Sequence, residues 1–392
     1  MSGKLKIKSL IILLYCLILV GLLGYSFSQI DLNLTLSSNP WYQTVQQKLI
    51  ILGYFQRPAS TSIYLCLILL LFLFQLYFIK EAKRGMLSEN LVWRLSLVSA
   101  AILLFSYPAF SHDIFNYIFD TRLMVTHHVN PWKYTALDFP QDLWTRFMRW
   151  THRTYPYGPT WLLITTPFYI LGMGKFSLTL LSFKVLGSLS YLICIWAIRK
   201  ILTLHSPKDA SFSMVLFGLN PLIIIESLVS AHIDITMAAL FLIAVLLGMK
   251  RRNISAWIVW VISGGIKFVT AFTFPAWLWW RGRKERAKNA MVLMFLLVSS
   301  ATVVAVLSRE LLPWYLVTPL AVSALLPRQR ATLHVLLQTF TAGLLFRYAP
   351  YLLKGEYSAW VKTTREWVTF LPILGAAVCL WLRKKNFSLS SS

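Results

Sequence analysis

The sequence predicts an all-α fold, a polytopic transmembrane helical bundle of about twelve crossings, and three observations carry that prediction. Of the 392 residues, 57% are hydrophobic and only 13% charged. A mean hydropathy of +0.63 coexists with a formal charge of +24, from 38 Lys and Arg against 14 Asp and Glu. Apolar runs of bilayer-crossing length recur along the whole chain. A soluble chain with that positive excess would be hydrophilic, so the charges must sit between runs that take hydrocarbon as their solvent. Soluble nucleic-acid binding therefore explains the basicity poorly, and no nucleic-acid partner is expected. Lys and Arg flank membrane helices on the cytoplasmic side, where they resist translocation. The short alternating strands of an outer-membrane barrel are missing from the sequence.

A crossing helix needs roughly 20 mostly apolar residues. Such runs occupy 9–29, 60–80, 91–110, 176–198, 211–228, 232–249, 288–307, 331–348 and 366–382, and a shorter one, 311–326, has polar flanks at both ends. The first follows a charged start, MSGKLKIKSL, but is too long for a signal peptide and is followed by no A-x-A site, so a retained helix is expected. The stretch 254–280 is apolar but interrupted by Gly264, Gly265 and Lys267, which predicts two half-length helices meeting below the far surface. Cys16, Cys66, Cys194 and Cys379 each lie inside an apolar run without CxxC spacing and are expected as small core residues.

Orientation follows from the basic residues. Lys4, Lys6 and Lys8 place the N-terminus in the cytoplasm. Further cytoplasmic returns are marked by Lys80, Lys83 and Arg84, by Arg199, Lys200 and Lys208, and by Lys250 to Arg252. Arg281 to Lys288, Arg328 with Arg330, and Arg383 to Lys385 mark the rest. The run 159–172 holds only 14 residues and two prolines, and as a full crossing it would turn the cluster at 199–208 outward. It is expected to be re-entrant or to lie on the outer leaflet. The chain is then one transmembrane domain, 1–392, with a large external loop at 111–175 and both termini cytoplasmic.

The few acids concentrate on the external side. In SHDIFNYIFDTR, residues Asp113, Asn116, Tyr117 and Asp120 share one helical face, opposite Ile114, Phe115, Ile118 and Phe119. An amphipathic interfacial helix with solvated acids would explain this pattern without a site. Charge near hydrocarbon is costly, however, which makes Asp113 and Asp120 functional candidates. Glu226, His232 and Asp234 fall at the same outer depth in NPLIIIESLVSAHID, where a polar turn is the plainer alternative. Asn220-Pro221 precedes them, and a proline inside a helix frees a carbonyl that needs a partner. Lys267 at the apex of the broken hairpin either snorkels to water or binds an anionic headgroup. Trp314 and Tyr315 suit an interfacial aromatic belt, and equally a sugar ring or prenyl chain. The basic residues of 127–157, ahead of Tyr157, suit lipid phosphates. His112, Asp113, His127 and His128 offer a zinc set without diagnostic spacing.

Taken in order, HDIFNYIFDTRLMVTHHVNPW (112–132), YPYGPTWLL (155–163), NPLIIIESLVSAHIDITMAAL (220–240), GGIKFVTAFTFPAWL (264–278) and PWYL (313–316) resemble the GT-C superfamily of membrane glycosyltransferases. The nearest resemblance is to the bacterial polyprenyl-phosphate-mannose-dependent mannosyltransferases and the GPI mannosyltransferase type. That resemblance implies a GT-C-like bundle and transfer of a sugar, with mannose the nearest precedent, from a polyprenyl-phosphate donor to a lipid or glycan acceptor on the extracytoplasmic face. It assigns Asp113 as catalytic base or as the group that orients the acceptor hydroxyl, with Asp120 as its support. Glu226, His232 and Asp234 would shape the pocket, and Lys267 would lie near the donor phosphate. Asp113 follows the third span, where many superfamily members place the acid after the first. His112-Asp113 also stands where the metal-dependent branches carry an acidic pair. No cofactor is expected, and a divalent metal is the less favoured alternative.

The residue types suit that chemistry. A carboxylate in reach takes the proton of the attacking hydroxyl. Lys267, Arg122 or a loop arginine would stabilise the leaving phosphate. The resemblance implies inversion at the anomeric carbon by a single displacement. A transporter or lipid-linked-sugar flippase is the rival reading, since broken helices and a midplane lysine serve that role too.

Overall fold

A computed structural model describes residues 2–32, 34–307 and 309–390, with side chains described from 9 to 384. The orientation markers Lys4, Lys6, Lys8 and Lys385 lie outside the described side chains. The helices run α1 (Ser2–Ser26), α2 (Pro40–Ile50), α3 (Arg57–Lys83), α4 (Glu89–Leu103), α5 (Asp113–Val125), α6 (Pro159–Leu171), α7 (Phe176–His205) and α8 (Ala210–Gly218). They continue with α9 (Pro221–Val229), α10 (Ile233–Met249), α11 (Asn253–Gly264), α12 (Phe274–Trp280) and α13 (Ala287–Leu307). The last are α14 (Val317–Ser323), α15 (Ala331–Phe346), α16 (Ala349–Lys354) and α17 (Ala359–Ser390). No strand occurs among the described residues.

The all-helical membrane fold stands, but a count of twelve crossings is not established. Among the described residues five helices are long and apolar enough to cross a membrane, or six if α8 and α9 count as one span bent by 51°. The expected span 91–110 contracts to the 15 residues of α4, because the chain leaves the helix ahead of Tyr107-Pro108. The run 311–326 divides into a 3-10 turn, Pro313–Leu316, and the seven residues of α14. The interrupted stretch 254–280 becomes two short helices, α11 and α12, as its glycines and lysine predict.

The α8–α9 bend shows how the interior accommodates a proline. Asn220 caps the new helix, its Oδ1 accepting from the Leu222 amide at 2.8 Å, and Pro221 takes the first position, where no amide is needed. The carbonyls this frees find side-chain donors. Tyr191 Oη donates to Gly218 O at 2.6 Å, and Gln75 Nε2 to Leu216 O at 3.3 Å. Asn220 Nδ2 in turn donates to Gln338 Oε1 at 2.8 Å.

Helix α10 is apolar all round and buried along almost its whole length, which makes it the centre of the bundle. It packs on α7, α11 and α14. Its 17 residues span about 24 Å and separate two ends of different chemistry. Lys250, Arg251 and Arg252 follow its C-terminus, while His232 and Asp234 stand at its start. A second apolar core, including Ile114, Phe115, Ile118, Phe119, Trp161 and Phe183, holds the 111–175 segment onto that latter end. At the periphery α17 presents Trp367, Leu374 and Trp381, more than half exposed, as a lipid-facing helix must.

Candidate functional site

Three local structures bring the acidic end of α10 together. The first is the start of α5, where Ser111 Oγ accepts from the Asp113 amide at 3.3 Å and the carboxylate is left one residue inside the helix. The second is the α9–α10 turn. Residues Ile224–Val229 are wound as a π-helix and Ala231 takes a φ of 53°, a conformation non-glycine residues adopt rarely and mostly at functional turns. The reversal aims Glu226 and His232 at each other. Buried Lys184 of α7 clamps it, donating to Leu228 O and, at 2.8 Å, to Val229 O. The third is the loop between α11 and α12, which crosses the start of α6. The Gly158 amide donates to Ile266 O at 3.1 Å, and a Cβ on Gly158 would lie 2.0 Å from Gly265 O. Only glycine admits that approach, which sets Lys267 beside Tyr157.

The side chains form a continuous set. Asp113 Oδ1 accepts from Trp150 Nε1 at 3.2 Å, and Oδ2 lies 3.7 Å from His232 Nδ1. The same ring nitrogen is 3.4 Å from Tyr117 Oη. On the far side of the imidazole, Nε2 lies 3.3 Å from Glu226 Oε2, while Glu226 Oε1 accepts from Tyr348 Oη at 3.0 Å. Trp314 stacks on the His232 ring, with centroids 3.9 Å apart and planes 19° from parallel. Lys267 Nζ donates to Asp234 Oδ2 at 2.7 Å and lies 5.3 Å from the centre of the Tyr157 ring and 5.8 Å from that of Tyr315.

Electrostatics distinguish the groups. Burial pushes the Asp113 carboxyl above the usual carboxylate range; Lys267, the Trp150 hydrogen bond and Arg153 pull it back, and Asp234 pushes it further up. Its side chain is still 14% exposed, so a carboxylate suited to accepting a proton can meet a substrate. Asp120, two turns on and 5% exposed, is raised well above that range by burial and then by Asp113. The His232 ring lies between the Asp113 and Glu226 carboxyl groups. Asp120 is buried and Asp113 is only 14% exposed, so the alternative of a solvated interfacial helix does not describe α5.

Of the sequence-derived candidates, Asp113, Glu226, His232, Asp234, Lys267, Tyr157, Trp314 and Tyr315 converge, with Asp120 behind them. Arg122 does not. Its Nε donates to Asp142 Oδ2 at 2.5 Å and its Nη1 to Tyr169 Oη at 2.9 Å, at the opposite end of α5. The zinc set is not assembled either. His127 Nε2 lies 2.9 Å from Asp142 Oδ2, and His112 faces Tyr107 and Asp31. Sequence reasoning missed Trp150 and Tyr348. Trp150 stands in an irregular loop and Tyr348 lies 122 residues from Glu226, so no local periodicity marks either.

A family profile described as "Alpha-(1->6)-mannopyranosyltransferase, N-terminal domain" matches residues 16–283, which include every converging residue except Trp314, Tyr315 and Tyr348. The chain is 25% identical over 222 residues to "Alpha-(1->6)-mannopyranosyltransferase A" of Mycobacterium tuberculosis, covering 55% of this chain and 42% of that protein. It is 22% identical over 191 residues to the protein of the same name from Corynebacterium glutamicum, covering 48% of this chain and 39% of the relative. The chain thus spans about two fifths of the length of these curated relatives. No solved structure matches it.

Proposed function

The chain belongs to the alpha-(1->6)-mannopyranosyltransferase family, and on that premise we propose that it is a membrane mannosyltransferase using a polyprenyl-phosphate donor and a lipid or glycan acceptor on the extracytoplasmic face. The observation that carries this reading is the convergence of Asp113, His232, Glu226, Asp234 and Lys267 at the end of α10 remote from Lys250–Arg252. Basic flanks favour the cytoplasm, so the acidic end is assigned to the outside.

In this mechanism Asp113 takes the proton of the acceptor hydroxyl as its oxygen attacks the anomeric carbon. The bond from that carbon to the lipid-phosphate oxygen breaks, and the phosphate leaves with the bonding pair. Lys267, held by Asp234 between Tyr157 and Tyr315, meets the developing charge. His232 and Glu226 hold Asp113 in place from behind. One displacement inverts the anomeric centre and forms no glycosyl-enzyme.

The test is transfer of labelled mannose from mannosyl polyprenyl phosphate to an alkyl mannoside by the purified chain in lipid nanodiscs, with the product linkage read by NMR. The product should have the anomeric configuration opposite to the donor's. Asp113→Asn should lose about 10²–10⁴-fold in kcat. Full transfer by Asp113→Asn, or retention of configuration, would remove Asp113 or the single displacement from the scheme.

A further inference from the structure

The external segment also builds a cleft at the other end of α5. It measures about 600 Å³, within the range of small-molecule sites, and is lined by Arg122, His127, Phe139, Gln141, Asp142 and Trp144. Its framework is fixed. Arg122 and His127 share Asp142 Oδ2, and Asp142 Oδ1 accepts from the Trp144 amide at 3.1 Å. The Arg122 guanidinium lies 4.2 Å from the centre of the Trp144 ring, and Phe139 packs on His127 with centroids 4.2 Å apart. Arg122 Nη1 is held in turn by Tyr169 Oη at 2.9 Å. Ring faces beside a small set of oriented polar groups are how a site holds a molecule that is apolar on its faces and hydroxylated at its edges.

Charge selects among ligands. The lining also contains Asp138, whose Oδ2 caps the Thr135 amide at 2.7 Å. One guanidinium thus stands against two carboxylates, and Arg122 is already committed to one of them. An anionic headgroup would find the guanidinium already paired and Asp138 exposed beside it, whereas hydroxyl groups find an acceptor in Asp138 and both donor and acceptor in the exposed amide of Gln141. Nine residues of α5 separate Arg122 from Asp113, about 13 Å along the helix. A ligand in the cleft does not reach the base, so what binds there lies remote from the reacting hydroxyl.

We propose that this cleft is a subsite for the distal portion of a neutral, mannose-containing glycan acceptor. The proposal rests on the transferase reading above for the identity of the sugar, but its test does not need turnover. A fluorescently labelled, α-linked manno-oligosaccharide is titrated against the full chain in nanodiscs. Saturable binding is expected in the unsubstituted protein. Gln141→Trp, at an exposed position where the new ring fills the cleft, should weaken it at least tenfold, and so should Phe139→Ala. Matched melting curves establish that both variants fold. Unchanged binding by Gln141→Trp, no saturable binding by the unsubstituted protein, or displacement of the sugar by inorganic phosphate would each overturn the proposal. Absence of transfer in the assay of the preceding section would refute the transferase reading and leave this isotherm to decide the cleft alone.

Discussion

Replacing Lys267 and Asp234, singly and together, separates what the ion pair does for the fold from what it does for Asp113. At 2.7 Å and an effective dielectric of about 20, Coulomb's law gives the pair about 6 kcal/mol of gross attraction. Most of that offsets desolvation, but breaking one side leaves Asp234, 4% exposed, without its cation, at a cost of about 3–5 kcal/mol. Lys267→Met should therefore lower the melting temperature in nanodiscs, and Lys267→Met/Asp234→Asn should recover most of the loss. The pH profile gives an independent reading. Lys267 holds the Asp113 carboxyl down and Asp234 pushes it up. Removing the cation raises the proton affinity of Asp113 further, so the acid limb of kcat/KM against pH moves to higher pH in Lys267→Met. It moves to lower pH in Asp234→Asn and returns close to the unsubstituted profile in the double variant. An acid limb that stays still, or moves down, in Lys267→Met would refute both the shared electrostatics and the role of Asp113 as base.

Other perturbations test the supporting structure. Glu226→Gln keeps the shape but exchanges the carboxyl that faces His232 and Tyr348 for an amide, a difference of about 1–2 kcal/mol, so kcat should fall roughly tenfold with little change in KM. Gly158→Ala drives a Cβ to 2.0 Å from Gly265 O and should destabilise by about 1–3 kcal/mol in thermal melts. Gly265→Ala instead meets Thr160 Oγ1 at 2.2 Å, so Thr160→Ala should rescue its melting temperature and activity together. Asn220→Leu removes the α9 cap and one of the two 2.8 Å donors to Gln338 Oε1, which predicts a melting loss equivalent to about 1–3 kcal/mol.

How much of this was legible in the sequence depended on the range of the physics involved. Asp113, Asp120, Glu226 and Lys267 stood out because an ionisable side chain beside long apolar runs is costly wherever it points. The break at Gly264-Gly265 was likewise a local signal, and α11 and α12 end around it. Local reasoning failed where distant chain segments set the outcome. Arg122 lies only two residues past Asp120, but that spacing turns it to the opposite side of α5, where Asp142, 20 residues later, pairs with it. The bounds of two expected spans shifted for the same reason. Hydropathy registered the apolar content of 91–110 and 311–326 but not the packing and prolines that shorten them.

The distribution of buried polar groups bears on the choice between an enzyme and a conduit. A transporter built on a broken helix exposes polar groups along a route that reaches both faces. Here the polar groups at mid-depth are engaged with one another. Gln75, Gln338 and Asn220 are joined by bonds of 2.8 Å and close over the bend between α8 and α9. Beyond Thr236, α10 carries no polar side chain through Met249, so the helix that bears Asp234 at its start offers nothing polar to a solute along the rest of its length. Asp234 pairs with Lys267 at the N-terminal end of α10, where Asp113 keeps partial exposure. A site with charge at one end and a dry helix behind it holds substrates at a surface. That is the arrangement a transferase needs when donor and acceptor both approach from the same side of the membrane.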